Sequence, residues 1–240
     1  MEPLAKGQLR SLESLLTYPL GEVGKAYTES RGLAGVATEL RLGEVSADPR
    51  AEHRRYAGRL VIPSFSARGT VVDAALRCMK DHDCGAEGCP KYLFLPGINK
   101  RLYGLDDVHT AESEIHIAEG HPDRMTLKEC GLPSVGVAGV NAWKPYHRRL
   151  FAGFERVYFW AQSDDKGQSE GLGERIRSGL GRVAVIMVPR DEDLNSYFVK
   201  AGKQAVLDLI PGEEPEEPEV VDVEEGDPQW AGSGFAPPPF

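Results

Sequence analysis

Three acidic residues, Glu119, Asp164 and Asp193, each come shortly after an apolar run of the sequence that favours a β-strand. Carboxylates that reach one edge of a sheet together can hold a divalent metal ion beside phosphate groups, because Mg²⁺ prefers oxygen ligands. A metal ion in that position neutralises phosphate charge and orients the reacting oxygens. The pattern therefore indicates phosphoryl chemistry on nucleotides or on nucleic acids.

From residue 111 onward, apolar runs alternate with segments that favour helices. The runs lie near residues 115–118, 134–138, 156–161 and 183–188, and the helical segments near 121–130, 143–152, 168–180 and 195–209. This alternation is typical of βαβ units and predicts an α/β fold with a parallel sheet covered by helices. Ligands of open α/β sheets bind beyond the carboxyl ends of the strands. We therefore expect Glu119, Asp164 and Asp193 to lie near one another at that edge.

Residues 1–110 have a different pattern. The expected elements are helices near 8–17 and 22–31 and strands at 60–65, 70–76 and 92–95. Arg68-Gly69 lies between the first two strands, where glycine favours the turn of a hairpin. We predict that residues 1–110 form a smaller mixed α+β subdomain with an antiparallel sheet, and that residues 111–211 form the parallel-sheet domain.

The net charge of −9 comes from the C-terminal segment, residues 212–240. This segment holds nine of the 37 acidic residues and no Lys or Arg, so the other 28 acidic residues are balanced by 28 basic ones. Such a proline-rich, acidic segment is expected to stay disordered. Within residues 50–101, ten Lys and Arg stand against five Asp and Glu. This local surplus can receive a polyanion, and an ordinary solvated surface is the alternative.

Cysteine usage and hydropathy bear on the compartment. Four unevenly spaced cysteines are typical of a reducing environment rather than of a disulfide framework. No apolar stretch approaches the ~20 residues that span a bilayer, and the N-terminus lacks the basic-then-apolar order of a secretory signal. We expect a cytoplasmic protein without a membrane partner.

Each acidic motif also has a simpler explanation. In the motif from Glu119 to Asp123, the second carboxylate could only cap a helix, where the helix dipole favours negative charge. Residues 162–167 could be an ordinary polar loop, and Asp193 could be a helix N-cap. Each explanation is adequate for one motif, but three acidic residues at three strand ends of one sheet are harder to explain as unrelated caps and loops.

The sequence resembles the TOPRIM domain of topoisomerases, DnaG-type primases and related nucleases in three motifs: Glu119-Gly120-x-x-Asp123, Asp164-x-x-Gly167 and Asp193-x-Asn195. Upstream segments resemble the N-terminal half of the primase RNA-polymerase core, at residues 31–33, 58–63, 90–93 and 100–105. The resemblance covers roughly residues 20–210. Compact versions of this kind are similar to primase-like proteins of bacteriophages.

The resemblance implies a DNA primase, which uses nucleoside triphosphates to make short RNA primers on a single-stranded DNA template. One or two Mg²⁺ or Mn²⁺ ions would be held by Asp164 and Asp193. Asp165 would be a further ligand, and Glu119 would act as a ligand or as the general base. The ions would activate a ribose 3′-hydroxyl for attack on the incoming nucleotide.

Three basic residues inside the matched segments, Arg59, Lys91 and Lys100, correspond to residues that contact nucleotide or template in primases of this type. Phosphate contacts do not depend on base sequence and weaken as salt rises. The sequence shows neither a zinc ribbon at its N-terminus nor a helicase domain. We therefore expect template engagement to need a replicative helicase or other replication proteins.

Two positions depart from the family pattern. Gln162 stands where members usually carry the first Asp of an Asp-x-Asp pair, and Asn195 stands where many carry an acid. A glutamine offers one neutral oxygen, so metal affinity should fall and polymerisation could be weakened. Two alternatives to an active primase stay open. One is a TOPRIM nuclease that uses the same metals, and the other is a catalytically impaired DNA-binding replication adaptor.

A separate group of metal-ligand residues, Cys78, His82, Cys84 and Cys89, lies within twelve residues of sequence ahead of Lys91. Four such ligands could close a tetrahedral Zn²⁺ site. Their spacing is C-x3-H-x-C-x4-C, which differs from the doubled C-x-x-C of common zinc sites. The alternative is a polar loop with incidental thiols.

Overall fold

Two four-stranded sheets form the frame of the protein, one antiparallel and one parallel. The structure is a computed structural model that describes residues 4–66, 68–98, 100–162, 167–189 and 192–212. Asp164, Asp165 and the acidic segment from residue 213 onward lie outside these ranges. Their predicted roles stay predictions, as do the domain boundaries. The two sheets confirm the predicted class, in which a mixed α+β part precedes a parallel sheet.

The antiparallel sheet has the order β1-β2-β3-β4. The elements of this part are α1 (Lys6–Leu15), α2 (Glu22–Ser30), β1 (Gly43–Glu44), β2 (Arg59–Phe65), β3 (Val71–Cys78) and β4 (Tyr92–Phe94). The predicted hairpin is confirmed, because β2 pairs with β3 and Gly69 adopts a φ of 72° between them. Glycine suits this turn because a side chain would be strained at positive φ.

The parallel sheet has the order β6-β5-β7-β8, with every neighbouring pair parallel. The elements of this part are α3 (Asp107–Thr110), β5 (Glu114–Ala118), α4 (His121–Glu129), β6 (Ser134–Gly136), β7 (Arg156–Ala161), α5 (Gln168–Leu180), β8 (Val183–Met187) and α6 (Leu194–Leu207). Ile117 and Phe159 pack in the core on one face of the sheet, and Ala118 and Trp160 pack in the core on the other. The predicted βαβ arrangement is therefore confirmed.

Helix α4 connects the cores of the two sheets. Its Met125 packs with Leu60 and Ile62 of β2, whereas Val61 of the same strand packs with Leu12 of α1 on the opposite face. Both faces of the antiparallel sheet are thus covered by apolar contacts. This double burial explains why residues 60–63 of β2 are all apolar instead of alternating between apolar and polar residues.

A buried ionic network ties α3 and α4 to β6. Asp107, only 3% exposed, accepts hydrogen bonds from Arg124 at 3.1 Å, from Lys128 at 2.8 Å and from the backbone N–H of Ser134 at 3.0 Å. The Nε of Arg124 also donates to the carbonyl oxygen of Ser134 at 3.1 Å. Buried charges are tolerated here because each is paired and hydrogen-bonded. The network holds α4 against the edge strand of the parallel sheet.

One predicted helix has a different form. The segment 143–152 is predicted as an α-helix, but the structure has a shorter 3₁₀-helix at Pro145–Leu150. The rings of Trp143 and Phe151 stack with their centroids 5.8 Å apart. Nδ1 of His147 accepts a hydrogen bond from the backbone N–H of Lys144 at 3.1 Å. These contacts stabilise a 3₁₀-helix, which is wound more tightly than the α-helix that apolar periodicity predicts.

The length and polarity of the helices also bear on membrane insertion. Across the ranges that the structure describes, none of the helices combines the length and the apolar character that crossing a bilayer requires.

Candidate active site

A cavity of about 270 Å³ lies between the two sheets, where β5, β7 and β8 end. Both sheets contribute charged or polar residues to its lining. We call the residues that follow the parallel strands the acidic wall: Glu119, Asp123, Gln162 and Asp193. We call the cationic residues of the same lining the basic wall: Arg31, Arg77, Lys91 and Lys100.

Glu119 and Asp193, which are predicted at separate strand ends, reach the same cavity. Glu119 directly follows β5, and Gly120 is the N-cap of α4. Asp193 is the N-cap of α6, and its Oδ1 accepts a hydrogen bond from the backbone N–H of Ser196 at 2.7 Å. The helix-cap explanation is thus correct for Asp193. It does not exclude a further role, since a carboxylate has two oxygens that can accept or coordinate.

Asp123 belongs to the acidic wall as well, although the sequence motif explains it as a helix cap. It is 6% exposed. Its Oδ1 accepts the backbone N–H of Asn195 at 3.3 Å, and its Oδ2 accepts Nε2 of Gln162 at 3.2 Å. Burial, followed by the negative charges of Asp193 and Glu119, raises the pKa of Asp123 to about 7. Acids crowded in this way favour a bound cation, which would relieve their repulsion.

Asn195 is one of the two departures from the family pattern, and its packing explains why an amide stands there. The side chain is 1% exposed. Its Nδ2 donates to Oγ1 of Thr126 and to the carbonyl oxygen of Arg31, each at 2.9 Å, and its Oδ1 accepts from Arg31 at 3.4 Å. A carboxylate could not donate to the Arg31 carbonyl. Position 195 therefore joins α6 to α4 and to the end of α2.

Gln162, the other departure, follows β7 directly and lies in the acidic wall. Its amide donates to Asp123, as described above. A neutral donor at this position hydrogen-bonds the buried Asp123 carboxylate without adding to the negative charge of Asp193 and Glu119 nearby. The expected Asp164 and Asp165 ligands follow shortly after Gln162 in the chain but lie outside the described residues.

Arg77 is a basic-wall residue that the sequence motifs missed. It lies in β3, is 6% exposed, and donates to the hydroxyl groups of Tyr27 and Tyr92. Its guanidinium also lies 5.1 Å from the ring centroid of Tyr92. The sequence did contain a signal for Arg77, namely a charged residue inside an apolar strand. An arginine is buried only where partners compensate the lost hydration, so such a position indicates a specific polar contact.

Two of the three predicted basic residues, Lys91 and Lys100, line the cavity. Both are exposed to solvent. Nζ of Lys100 lies 4.6 Å from the ring centroid of Phe94, which is a cation–π distance. Exposed ammonium groups beside a cavity can contact phosphate oxygens without large desolvation.

Arg59, the third predicted residue, is not among the described residues that line the cavity. It is 8% exposed, and its guanidinium donates to the carbonyl oxygens of Leu76 at 3.3 Å and Pro90 at 2.8 Å. The structure therefore uses Arg59 to hold the loop before β4. The predicted contact between Arg59 and nucleotide or template stays a prediction.

His121 closes the cavity behind the acidic wall. Its ring lies between those of Tyr92 and Tyr103, with centroid distances of 5.4 Å and 5.2 Å. Burial, followed by the positive charges of Arg77, Lys100 and Arg124, lowers the pKa of His121 to about 3. The imidazole is therefore neutral at physiological pH and serves as an aromatic filler.

The four predicted zinc ligands also come together, in the loop from the end of β3 to the start of β4. Their donor atoms all lie within 4.8 Å of one another: Cys78, His82, Cys84 and Cys89. Cys78 directly follows Arg77, so this cluster borders the strand that supplies the basic wall.

The chain is similar to known proteins in sequence and in fold. No family model matches it. The gene 57 protein of Mycobacterium phage D29 is 36% identical over 157 residues, which are 65% of this chain and 99% of the phage protein. The chain belongs to the family of this phage protein.

Two further similarities concern primases. A DNA primase of Clostridium acetobutylicum is 27% identical over 188 residues, which are 72% of this chain but 30% of that protein. A DnaG primase catalytic domain bound to ssDNA superimposes with a TM-score of 0.66 at 20% identity, covering 85% of this chain and 75% of that one. The chain therefore has the fold of the DnaG primase catalytic core, and the resemblance seen in the motifs is confirmed at the level of the fold.

Proposed function

We propose that this protein synthesises short RNA primers on single-stranded DNA by metal-dependent nucleotidyl transfer. One observation carries the proposal: an acidic wall and a basic wall line one cavity. Nucleotidyl transfer brings a triphosphate and a primer end together at metal ions, beside a template phosphate backbone. That reaction needs carboxylates for the metal and cations for the phosphates in the same place.

The acidic wall is the metal-binding part of the proposal. Glu119 and Asp193 would hold Mg²⁺ or Mn²⁺, and Asp164 and Asp165 are proposed as further ligands. The donor set fits such hard cations in its chemistry, because Glu119, Asp123 and Asp193 line one cavity and the charges of Asp193 and Glu119 raise the pKa of Asp123. A bound ion of this kind would neutralise triphosphate charge and make the 3′-hydroxyl easier to deprotonate. Glu119 is proposed as a ligand or as the base that accepts this proton.

Asp123 and Gln162 are proposed to position the acidic wall. Asp123 is buried and bonded to the start of α6 through Asn195, so it holds the Asp193 loop close to Glu119. Gln162 keeps this part of the site less negative than an aspartate would. We therefore propose weaker metal binding than a fully acidic site would have.

The basic wall is proposed to bind the triphosphate and the template backbone. Arg77 is held by two tyrosine hydroxyls, so its guanidinium is oriented before any ligand arrives. Lys91 and Lys100 are exposed at the rim and suit contacts with mobile phosphates. Arg31 extends the wall toward α6. All four act on charge and not on base identity.

Comparison with other proteins supports the same function. The fold is that of the DnaG catalytic core, and one such domain is known bound to ssDNA. A replicative helicase or another replication protein is proposed as the partner that brings the chain to its template.

Two other functions have a specific observation in their favour. A nuclease would use the same acidic wall, but it would have less use for the basic wall. A DNA-binding adaptor is favoured by Gln162, because loss of one acid at the site could leave binding without catalysis.

One experiment separates the three functions. The full chain is incubated with circular single-stranded DNA and labelled ribonucleotides, in Mg²⁺ or Mn²⁺, with chelator in a parallel reaction. We expect short labelled RNA that depends on the metal and on the DNA. Cut DNA would identify the nuclease. Retention of DNA on the protein, without any product in either metal, would overturn both enzymatic functions and leave the adaptor.

A further inference from the structure

We propose that Cys78, His82, Cys84 and Cys89 bind one structural Zn²⁺ ion, which clamps the ends of β3 and β4 together beside the basic wall. The four donor atoms, three thiol sulfurs and one imidazole nitrogen, all lie within 4.8 Å of one another. The site is separate from the acidic wall. Its assignment does not depend on the reaction proposed for the cavity.

Three distances inside the cluster are close to the edges of a tetrahedral zinc site. Nε2 of His82 lies 3.4 Å from Sγ of Cys78 and 3.3 Å from Sγ of Cys84, and the sulfurs of Cys78 and Cys89 are 3.6 Å apart. Zn–S bonds of about 2.3 Å and Zn–N bonds of about 2.0–2.1 Å in a tetrahedron place neighbouring donor atoms about 3.5–3.8 Å apart. A zinc ion therefore fits among these atoms with little movement of the chain.

His82 is oriented in the way that zinc ligands usually are. Its Nδ1 lies 2.8 Å from Oε2 of Glu87. A carboxylate at Nδ1 keeps the proton on that nitrogen and leaves Nε2, the nitrogen that faces the sulfurs, free to coordinate. The Glu87 side chain is 61% exposed. It is therefore in place to orient the ring while contributing little to the core.

The charge of the cluster is also compensated. Three thiolates and one Zn²⁺ carry a net charge of −1. A guanidinium nitrogen of Arg59 lies 3.5 Å from Sγ of Cys89, close enough to donate to a thiolate. The guanidinium of Arg59 thus donates both to backbone carbonyl oxygens and to a ligand sulfur, and its positive charge would offset the negative charge of the zinc site.

The backbone around the ligands is already folded as a closed loop. The N–H of Cys89 donates to the carbonyl oxygen of Cys84 at 2.9 Å, and the N–H of Cys78 donates to that of Lys91 at 3.0 Å. The loop therefore begins at one proposed ligand, Cys78, and ends just after another, Cys89. Cys78 follows Arg77, and Lys91 and Tyr92 follow Cys89 closely, so the clamp would fix residues that line the cavity. The ligands come from both ends of the loop, Cys78 at the end of β3 and Cys89 shortly before β4, which favours a shared metal ion over an incidental group of thiols.

The decisive measurement is the zinc content and affinity of the purified full chain, kept reduced. We expect one Zn²⁺ per chain, and tetrahedral thiolate absorption bands when Co²⁺ replaces it. Cys78→Ser should lose stoichiometric zinc. Cys130→Ser is the matched control, because Cys130 is the one cysteine of the chain outside this cluster, at the C-cap of α4, and the variant should keep one ion.

Glu87→Gln tests the site without any risk to folding, since the side chain is exposed. Zinc affinity, measured by competition with a chelator, should fall by about 10–100-fold while the stoichiometry stays at one. Three results would overturn the assignment. They are no zinc uptake by the reduced wild type, a Cys78–Cys89 disulfide that forms in place of metal binding, and unchanged zinc affinity in both Cys78→Ser and Glu87→Gln.

Discussion

The two walls of the cavity are built by different means. The acidic wall follows from chain direction: β5, β7 and β8 run parallel, so the residues after them reach the same edge. The basic wall combines Arg77 of β3 with three residues outside strands, because Arg31 follows α2 and Lys91 and Lys100 flank β4. In the antiparallel sheet, neighbouring strands end at opposite edges, so strand direction alone does not gather these charges. The charges of the basic wall are brought together by side-chain contacts, such as the tyrosine hydroxyls that hold Arg77. One wall is thus a consequence of topology, and the other is a consequence of packing.

The walls also differ in how their supports are stabilised. Behind the acidic wall, the buried Asp107 network fixes α4 on the parallel sheet. Beside the basic wall, the cysteine and histidine loop closes the ends of β3 and β4. We therefore expect substitutions in the first support to lower global stability, and substitutions in the second to act locally.

The largest effect is expected from Asp107→Ala. This change leaves Arg124, which is 1% exposed, without its carboxylate. Removing one partner of a buried ion pair costs about 3–5 kcal/mol, which urea denaturation would measure as a lower free energy of unfolding. Asp106→Ala is the control, because Asp106 is 48% exposed and 3.9 Å from Arg124. An equal decrease in the free energy of unfolding in the two variants would mean that the buried Asp107 network does not stabilise the protein more than an exposed ion pair does.

Glu119→Gln is expected to abolish primer synthesis while folding and DNA binding stay nearly intact. Loss of one group that stabilises developing charge lowers the rate by about 100–1,000-fold. Primer yield and DNA retention measured on the same sample would separate these effects. Glu112→Gln, an exposed neighbour before β5, should behave as the wild type. Preserved synthesis in Glu119→Gln would remove Glu119 from the mechanism.

Acid sensitivity should separate His121 from the exposed histidines. Its folded-state pKa of about 3 lies below that of an unfolded histidine, so the unfolded chain binds a proton first as the pH falls. Stability is therefore intact above the unfolded pKa of about 6.5 and is lost toward the folded pKa, by at most about 1.4 kcal/mol per pH unit.

The test is thermal unfolding of His121→Phe between pH 7 and pH 4. Phenylalanine keeps an aromatic ring between Tyr92 and Tyr103 but takes up no proton. We expect a shallower loss of stability with acid than in the wild type. His109→Gln, at an exposed site, should keep the wild-type slope. Identical slopes in all three proteins would show that His121 is not held neutral.

Gln162→Asp tests whether the acidic wall is weakened by its missing acid. We expect Mg²⁺ or Mn²⁺ affinity, measured by calorimetry, to rise several-fold, since a charged oxygen replaces a neutral one. The added charge would face Asp123, which now accepts the Gln162 amide. Gln162→Asn has the same length without the charge and is the matched control. A gain in both variants would point to side-chain length as the cause.

The smallest effect is expected at the rim of the basic wall. Lys100→Ala should weaken single-stranded DNA binding modestly and for every base sequence alike. It should also lower the slope of log affinity against log salt by about 0.7, the value for one phosphate contact on a single strand. Lys203→Ala, exposed on α6, is the control. An unchanged slope in Lys100→Ala would place the DNA elsewhere.

The sequence by itself determined the class of fold, the approximate positions of every described strand except β1, and the positions of Glu119 and Asp193 after strands. These features are local, because a strand-like run and the acid after it are adjacent in the chain. Only the tertiary structure decided that Arg77 joins the basic wall while Arg59 turns toward carbonyl oxygens and a cysteine. It alone decided the partners of Asn195, which lie in α2 and α4. The physical reason is that the orientation of a buried polar side chain depends on distant groups that satisfy its hydrogen bonds, and local sequence does not encode them.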